Sequence, residues 1–80
     1  MTAALLDEVI LSLCLPRWQK VARVIGDADR DERLASINSE ERMDAIAERI
    51  ATLVGTGKLD ANGDLEQWRA SEIRLTEASA

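Results

Sequence analysis

At 80 residues, 8.8 kDa and a formal net charge of −5, the chain has room for one small domain with a compact core, but not for a deep cleft. Apolar residues at 46% and charged residues at 31% place it with globular chains and not with disordered ones. Histidine, tyrosine and phenylalanine are absent and there is one cysteine, which excludes disulfide frameworks, Cys/His zinc sites, histidine-assisted nucleophiles and histidine-ligated haem.

The first segment, Ala3 to Leu15, sets Leu5, Leu6, Val9, Ile10 and Leu13 at helical spacing, and Leu11, Cys14 and Leu15 add apolar surface outside that stripe. A helix apolar over most of its circumference is either central to the core or half-covered by a second subunit. Its surface exceeds what two partner helices and a small ribbon would cover, so a homodimer is expected, with Leu6, Ile10, Leu11 and Cys14 in an isologous interface. Pro16 stops this helix and suits the first position of a second one. The second helix turns Trp18, Val21, Ala22 and Ile25 inward and Arg17, Lys20 and Arg23 outward, with Gly26 as its stop. Trp18 is accordingly read as core.

Asp27 to Arg33 is a charged connector. Asn38 with Glu41 reads as a capping pair opening a long third helix. Met43, Ile46, Ala47, Ile50, Leu53 and Val54 follow at i, i+3, i+4, i+7, i+10 and i+11, and Gly55 and Gly57 end the run. The period then changes to two. A tight hairpin at Asn62-Gly63 would split the apolar residues between faces, whereas pairing 58–61 with 71–75 sets Leu59, Ala61, Ile73 and Leu75 on one face. The second register is expected, with Asp64 and Gln67 capping a helical turn that directs Leu65 and Trp68 inward. Residues 1–76 form a single domain on this reading, and 77–80 form a frayed tail.

Three helices followed by a two-stranded antiparallel wing is winged-helix order: a mainly α fold with a small β-ribbon. Arg49-Ile-Ala-Thr-Leu-Val-Gly-Thr-Gly-Lys-Leu-Asp60, Asn62-Gly-Asp-Leu65, Arg69 and Ser71-Glu-Ile-Arg-Leu75, with Trp18-Gln-Lys-Val-Ala-Arg-Val-Ile-Gly26 upstream, resemble a bacterial domain of unknown function. The resemblance covers about two-thirds of the chain. It implies a C-terminal accessory module of longer proteins and no established activity.

Charge is unevenly spread. Residues 1–26 carry two acids against three bases, whereas 27–80 carry 13 acids against seven bases. A nucleic-acid module gains most of its affinity by neutralising phosphates. A DNA-binding regulator is the alternative function, placing the third helix in the major groove with Arg42, Arg49, Arg69 and Arg74 as contacts. Glu40, Glu41, Asp44 and Glu48 on the same helix would meet phosphate with like charge.

Two carboxylate runs bear on metal binding. Asp27, Asp29 and Asp31 have the 1-3-5 spacing of a calcium loop, but position six is Glu32 and position twelve is Asn38. Asp60, Asn62, Asp64 and Glu66 fail at Leu65 and Ser71 in the same way. No metal, cofactor or catalytic residue is expected, and no signal segment or membrane span. The leading expectation is a non-catalytic, cytoplasmic protein-interaction module, and the lone Cys14 suits a reducing compartment.

Overall fold

A computed structural model describes residues 2–77. Its elements are α1 (Thr2–Leu13), β1 (Gln19–Lys20), α2 (Val21–Asp29), a 3-10 turn (Glu32–Leu34), α3 (Ser39–Gly55), β2 (Leu59–Asn62), a second 3-10 segment (Leu65–Ala70) and β3 (Glu72–Leu75). The fold is mainly helical, as expected. The ribbon, however, is a three-stranded antiparallel sheet in the order β1-β3-β2, not a two-stranded wing.

The extra strand changes the start of the second helix. Pro16 does not open it. The chain runs extended through residues 19–20 so that Gln19 can pair with Ile73 and Lys20 with Glu72, and helix begins only at Val21. Gly26 does not stop it either. The helix continues through Gly26 to Asp29, and the added turn buries Ala28 completely. That burial offsets the roughly 1 kcal/mol by which glycine weakens a helix relative to alanine. Val21, Val24 and Ile25 face inward from the same helix.

The connector holds a 3-10 turn capped by Asp31, whose Oδ1 accepts the Arg33 N–H at 2.9 Å. Leu34 leaves that turn fully buried, a core residue that no periodic pattern announced. Asn38 caps α3 through the Glu40 N–H at 3.0 Å, one residue earlier than a bond to Glu41 would require. The helix ends in a Schellman motif: Gly57 donates to the Val54 carbonyl and Lys58 to that of Leu53, with Gly57 at φ 83. Of the α3 stripe, Ile46, Ile50 and Leu53 are buried, while Met43 lies outside.

In the ribbon 58–61 pairs with 71–75, as expected from the alternation, and the observed partners are Leu59 with Leu75 and Ala61 with Ile73. Leu59 and Ile73 enter the core; Asp60, Asn62, Glu72 and Arg74 occupy the alternate positions. Asp64 caps the second 3-10 segment through the Glu66 N–H at 2.9 Å, and Leu65 and Trp68 pack half-buried against the core. Gly63 is at φ 94, and a Cβ there would stand 3.4 Å from the Cα and Cβ of Ser71, so the chain crosses itself closely at that turn. The expected tail lies, from residue 78, outside the described residues.

Candidate functional site

The residues expected in an interface on the first helix pack within the chain's own core. Leu6, Ile10 and Cys14 are 3%, 0% and 4% exposed within the single chain. Leu11 is half-buried and packs on the same core. Leu34 from the connector joins α2 and α3 in covering α1, so the apolar excess that suggested a second subunit is absorbed internally. Burial pushes the Cys14 thiol up from 9.0 to about 11, leaving it neutral and unreactive.

The arginines read as nucleic-acid contacts are also placed differently. Arg42 donates to the Asp29 carbonyl at 2.8 Å and to the Ile37 carbonyl at 2.9 Å, and it lies 3.5 Å from the Asp29 carboxylate. It therefore closes the C-terminal end of α2 onto the entry of α3, with 16% of its side chain exposed. Arg49 donates from Nε and Nη2 to the two carboxylate oxygens of Asp7, both at 2.8 Å, clamping α3 to α1. Hydrogen bonding to Asp7 raises the Arg49 pKa further. Both guanidiniums are thus engaged within the chain. Glu40, Glu41, Asp44 and Glu48 remain exposed on α3. Arg69 is exposed, its guanidinium 5.1 Å from the Trp68 ring centre, and Arg74 divides itself between Asp60 at 3.3 Å and the Trp18 ring at 4.4 Å.

Trp18 is the residue whose role the sequence concealed. It is 39% exposed, as is Leu15, and the two line a shallow hollow of about 340 Å³ with Arg17, Gln19 and Arg23. The hollow is held firmly. The Gln19 side chain accepts the Leu15 N–H at 2.8 Å, Leu75 in β3 donates to the Leu15 carbonyl at 2.9 Å, and Val21 donates to the Ser71 carbonyl at 3.1 Å. Trp18 and Lys20 are exposed on either side of the half-buried Gln19. Arg74, one position beyond the Gln19–Ile73 pair, lies against the indole through a cation–π contact.

Charge collects here. Arg17, Lys20 and Arg23 are exposed, and neither Arg17 nor Lys20 has a carboxylate within 4.0 Å among the described residues. Arg23 meets only Asp27, at 3.9 Å, from a side chain that is 76% exposed. The first turn of α2 contains no acid, and Lys20 supplies no side-chain cap. Cations thus sit at the positive end of a helix, where they are electrostatically unfavourable.

The carboxylate runs have other partners. Asp27 pairs with Arg30, Asp29 with Arg42 and Asp60 with Arg74, while Asp64 caps a turn. Asp31 binds Arg33, whose hydrogen bonds hold the Asp31 carboxyl down at about 2. Among the described residues no three acidic or sulfur side chains gather as a metal site would require. Nor is any helix among them long and apolar enough to cross a membrane. Comparison with protein-family models, curated proteins and solved structures finds no match to this chain.

Proposed function

We propose that the chain is a non-catalytic, cytoplasmic protein-interaction module of winged-helix type, with α3 in the recognition position and β2–β3 as the wing. The order helix, strand, helix, helix, strand, strand supports this, as does a sheet in which β1 joins the ribbon alongside β3. The resemblance to an accessory module of longer proteins points the same way. One observation carries the choice of protein over DNA: α3 exposes four carboxylates, while its two arginines are clamped to Asp7, Asp29 and Ile37. A groove-facing helix needs the reverse arrangement. The neutral, buried Cys14 and the arginine-paired carboxylates support a non-catalytic role.

A salt titration against mixed-sequence duplex DNA tests the reading. An interaction module leaves the duplex unbound near physiological salt; micromolar affinity with log K falling steeply against log[salt] would establish the DNA-binding regulator instead. With Leu6, Ile10 and Cys14 inside the fold, the proposed module is a monomer. Light scattering at micromolar concentration should return 8.8 kDa, and twice that mass would restore the dimer.

A further inference from the structure

We propose that the Trp18 hollow is the docking site for a short acidic segment of a partner protein, its carboxylates meeting Arg17 and Arg23 and an apolar side chain lying on the exposed indole. This rests on the reading of the chain as a protein-interaction module and adds to it the surface and the chemistry of the partner.

Three observations converge on the site. Trp18 and Leu15 are two of the three large apolar side chains left exposed among the described residues, and they share one hollow; the third, Met43, stands on α3 with Glu40 and Asp44. Tryptophan and arginine are the side chains that most often dominate binding energy at protein interfaces. The backbone of 15–21 is fixed by the bonds at Leu15 and Val21, and Arg74 lies on the indole, so little order remains to be imposed when a partner arrives. Finally, in a chain of net −5, Arg17, Lys20 and Arg23 fall within seven consecutive residues and, among the described residues, have no carboxylate within 4.0 Å apart from the long Arg23–Asp27 contact. They stand beside a helix end whose first turn holds no acid.

The dimensions favour a peptide over a nucleic-acid strand. A strand carries a phosphate at every nucleotide and needs a basic track with repeated stacking platforms. Here there is one indole, with Arg17, Lys20 and Arg23 near it and Arg74 on its face, while Glu72 stands opposite Lys20 and Asp60 opposite Arg74, so the cations form a cluster and not a track.

The test is a two-dimensional ¹⁵N–¹H titration of the full chain with four probes. These are a blocked peptide of four glutamates around a central leucine, the same peptide with glutamine, the same with lysine, and a dodecamer of thymidine. The glutamate peptide should shift the Trp18 indole N–H and the amides of 15–23 saturably, while the glutamine peptide binds at least tenfold more weakly and the lysine peptide leaves the peaks in place. Arg17→Glu combined with Arg23→Glu, both exposed, should weaken the glutamate peptide at least tenfold with a melting temperature that is not lowered, since an acid in the first turn of α2 suits the helix end. Absence of saturable shifts at millimolar glutamate peptide, shifts confined to other residues, or equal binding of the glutamate and glutamine peptides would overturn the proposal. So would tighter binding of the thymidine strand at Trp18. Shifts of the same peaks with protein concentration alone would make the occupant a second copy, against the proposal. A failure here leaves the interaction-module reading standing, because that reading falls on the duplex titration instead.

Discussion

Ile46→Ala and Met43→Ala remove three heavy atoms each from one apolar stripe of α3, three residues apart, yet they should have very different consequences. Ile46 is 0% exposed and Met43 is 40% exposed. Losing three buried carbons at Ile46 costs roughly 2.4 kcal/mol at about 0.8 kcal/mol per methylene. The unfilled space adds to that, within the roughly 2–5 kcal/mol spanned by such truncations. Alanine's better helix propensity returns a few tenths of a kcal/mol, leaving about 3 kcal/mol. At Met43 the buried part is smaller, no closed cavity forms, and the propensity gain is slighter because methionine is a better helix former than isoleucine, so the loss should stay below about 1 kcal/mol. An 80-residue domain has about 4–12 kcal/mol in total. With about 4–8 °C per kcal/mol at this size, Ile46→Ala should melt some 12–24 °C lower and Met43→Ala less than about 8 °C lower. Thermal and urea melts followed by circular dichroism measure both, with unchanged urea m-values as the control. Equal shifts would mean that the stripe is uniformly buried and that α3 is rotated from the orientation described.

Other substitutions probe the remaining contacts. A double-mutant cycle of Asp7→Ala and Arg49→Ala should give a coupling of about 1 kcal/mol, the upper range for a partly exposed but bidentate pair, and it should diminish in molar salt. Additive losses would remove the clamp between α1 and α3. Ile73→Asp should cost roughly 3 kcal/mol or more, whereas Glu72→Ala should stay within about 0.5 kcal/mol; matching melts of the two variants would refute the strand register. For Cys14, the folded state holds the thiol proton more tightly than the unfolded chain does, its pKa being raised from 9.0 to about 11. That contribution is complete below pH 9 and is lost as pH rises through about 11, so the stability advantage over Cys14→Ala should shrink by on the order of 2 kcal/mol across that window. A difference that stays constant with pH would show the thiol to be solvated.

The sequence was most legible where periodicity coincided with a terminator. Ile46, Ile50 and Leu53 repeat at helical spacing up to a glycine that adopts positive φ, and the alternation of Leu59, Ala61, Ile73 and Leu75 sets all four on one face when 58–61 pairs with 71–75. It was least legible where structure depends on a distant partner. Gln19 and Lys20 have little strand propensity and are extended because β3 offers them hydrogen bonds. With that strand unseen, Pro16 looked like a helix start and Trp18 fell on the wrong side. Leu34 is one apolar residue in a charged run, so no pattern could reveal its burial. The arginines illustrate a similar limit: nothing local to Arg42 or Arg49 tells whether a guanidinium faces a phosphate or a carboxylate 42 residues away, as at Asp7. The candidate site at Trp18 had a partial signal in the excess of bases before residue 26, but the exposure of its indole follows from the strand.

The pairing of β1 with β3 joins residues as distant as Gln19 and Ile73, 54 positions apart, and this orders events in time. Closing so long a loop carries an entropic cost that must be met before its contacts stabilise anything, which slows the step relative to local helix formation. During synthesis, α1, α2 and α3 leave the ribosome complete while Leu15 still lacks its hydrogen bond from Leu75 and Val21 its acceptor at Ser71. The geometry around Trp18 therefore matures only after residue 75 has emerged, although the tryptophan itself is made 57 residues earlier. A nascent chain paused within β2 would hold much of its hydrophobic core and none of its finished sheet.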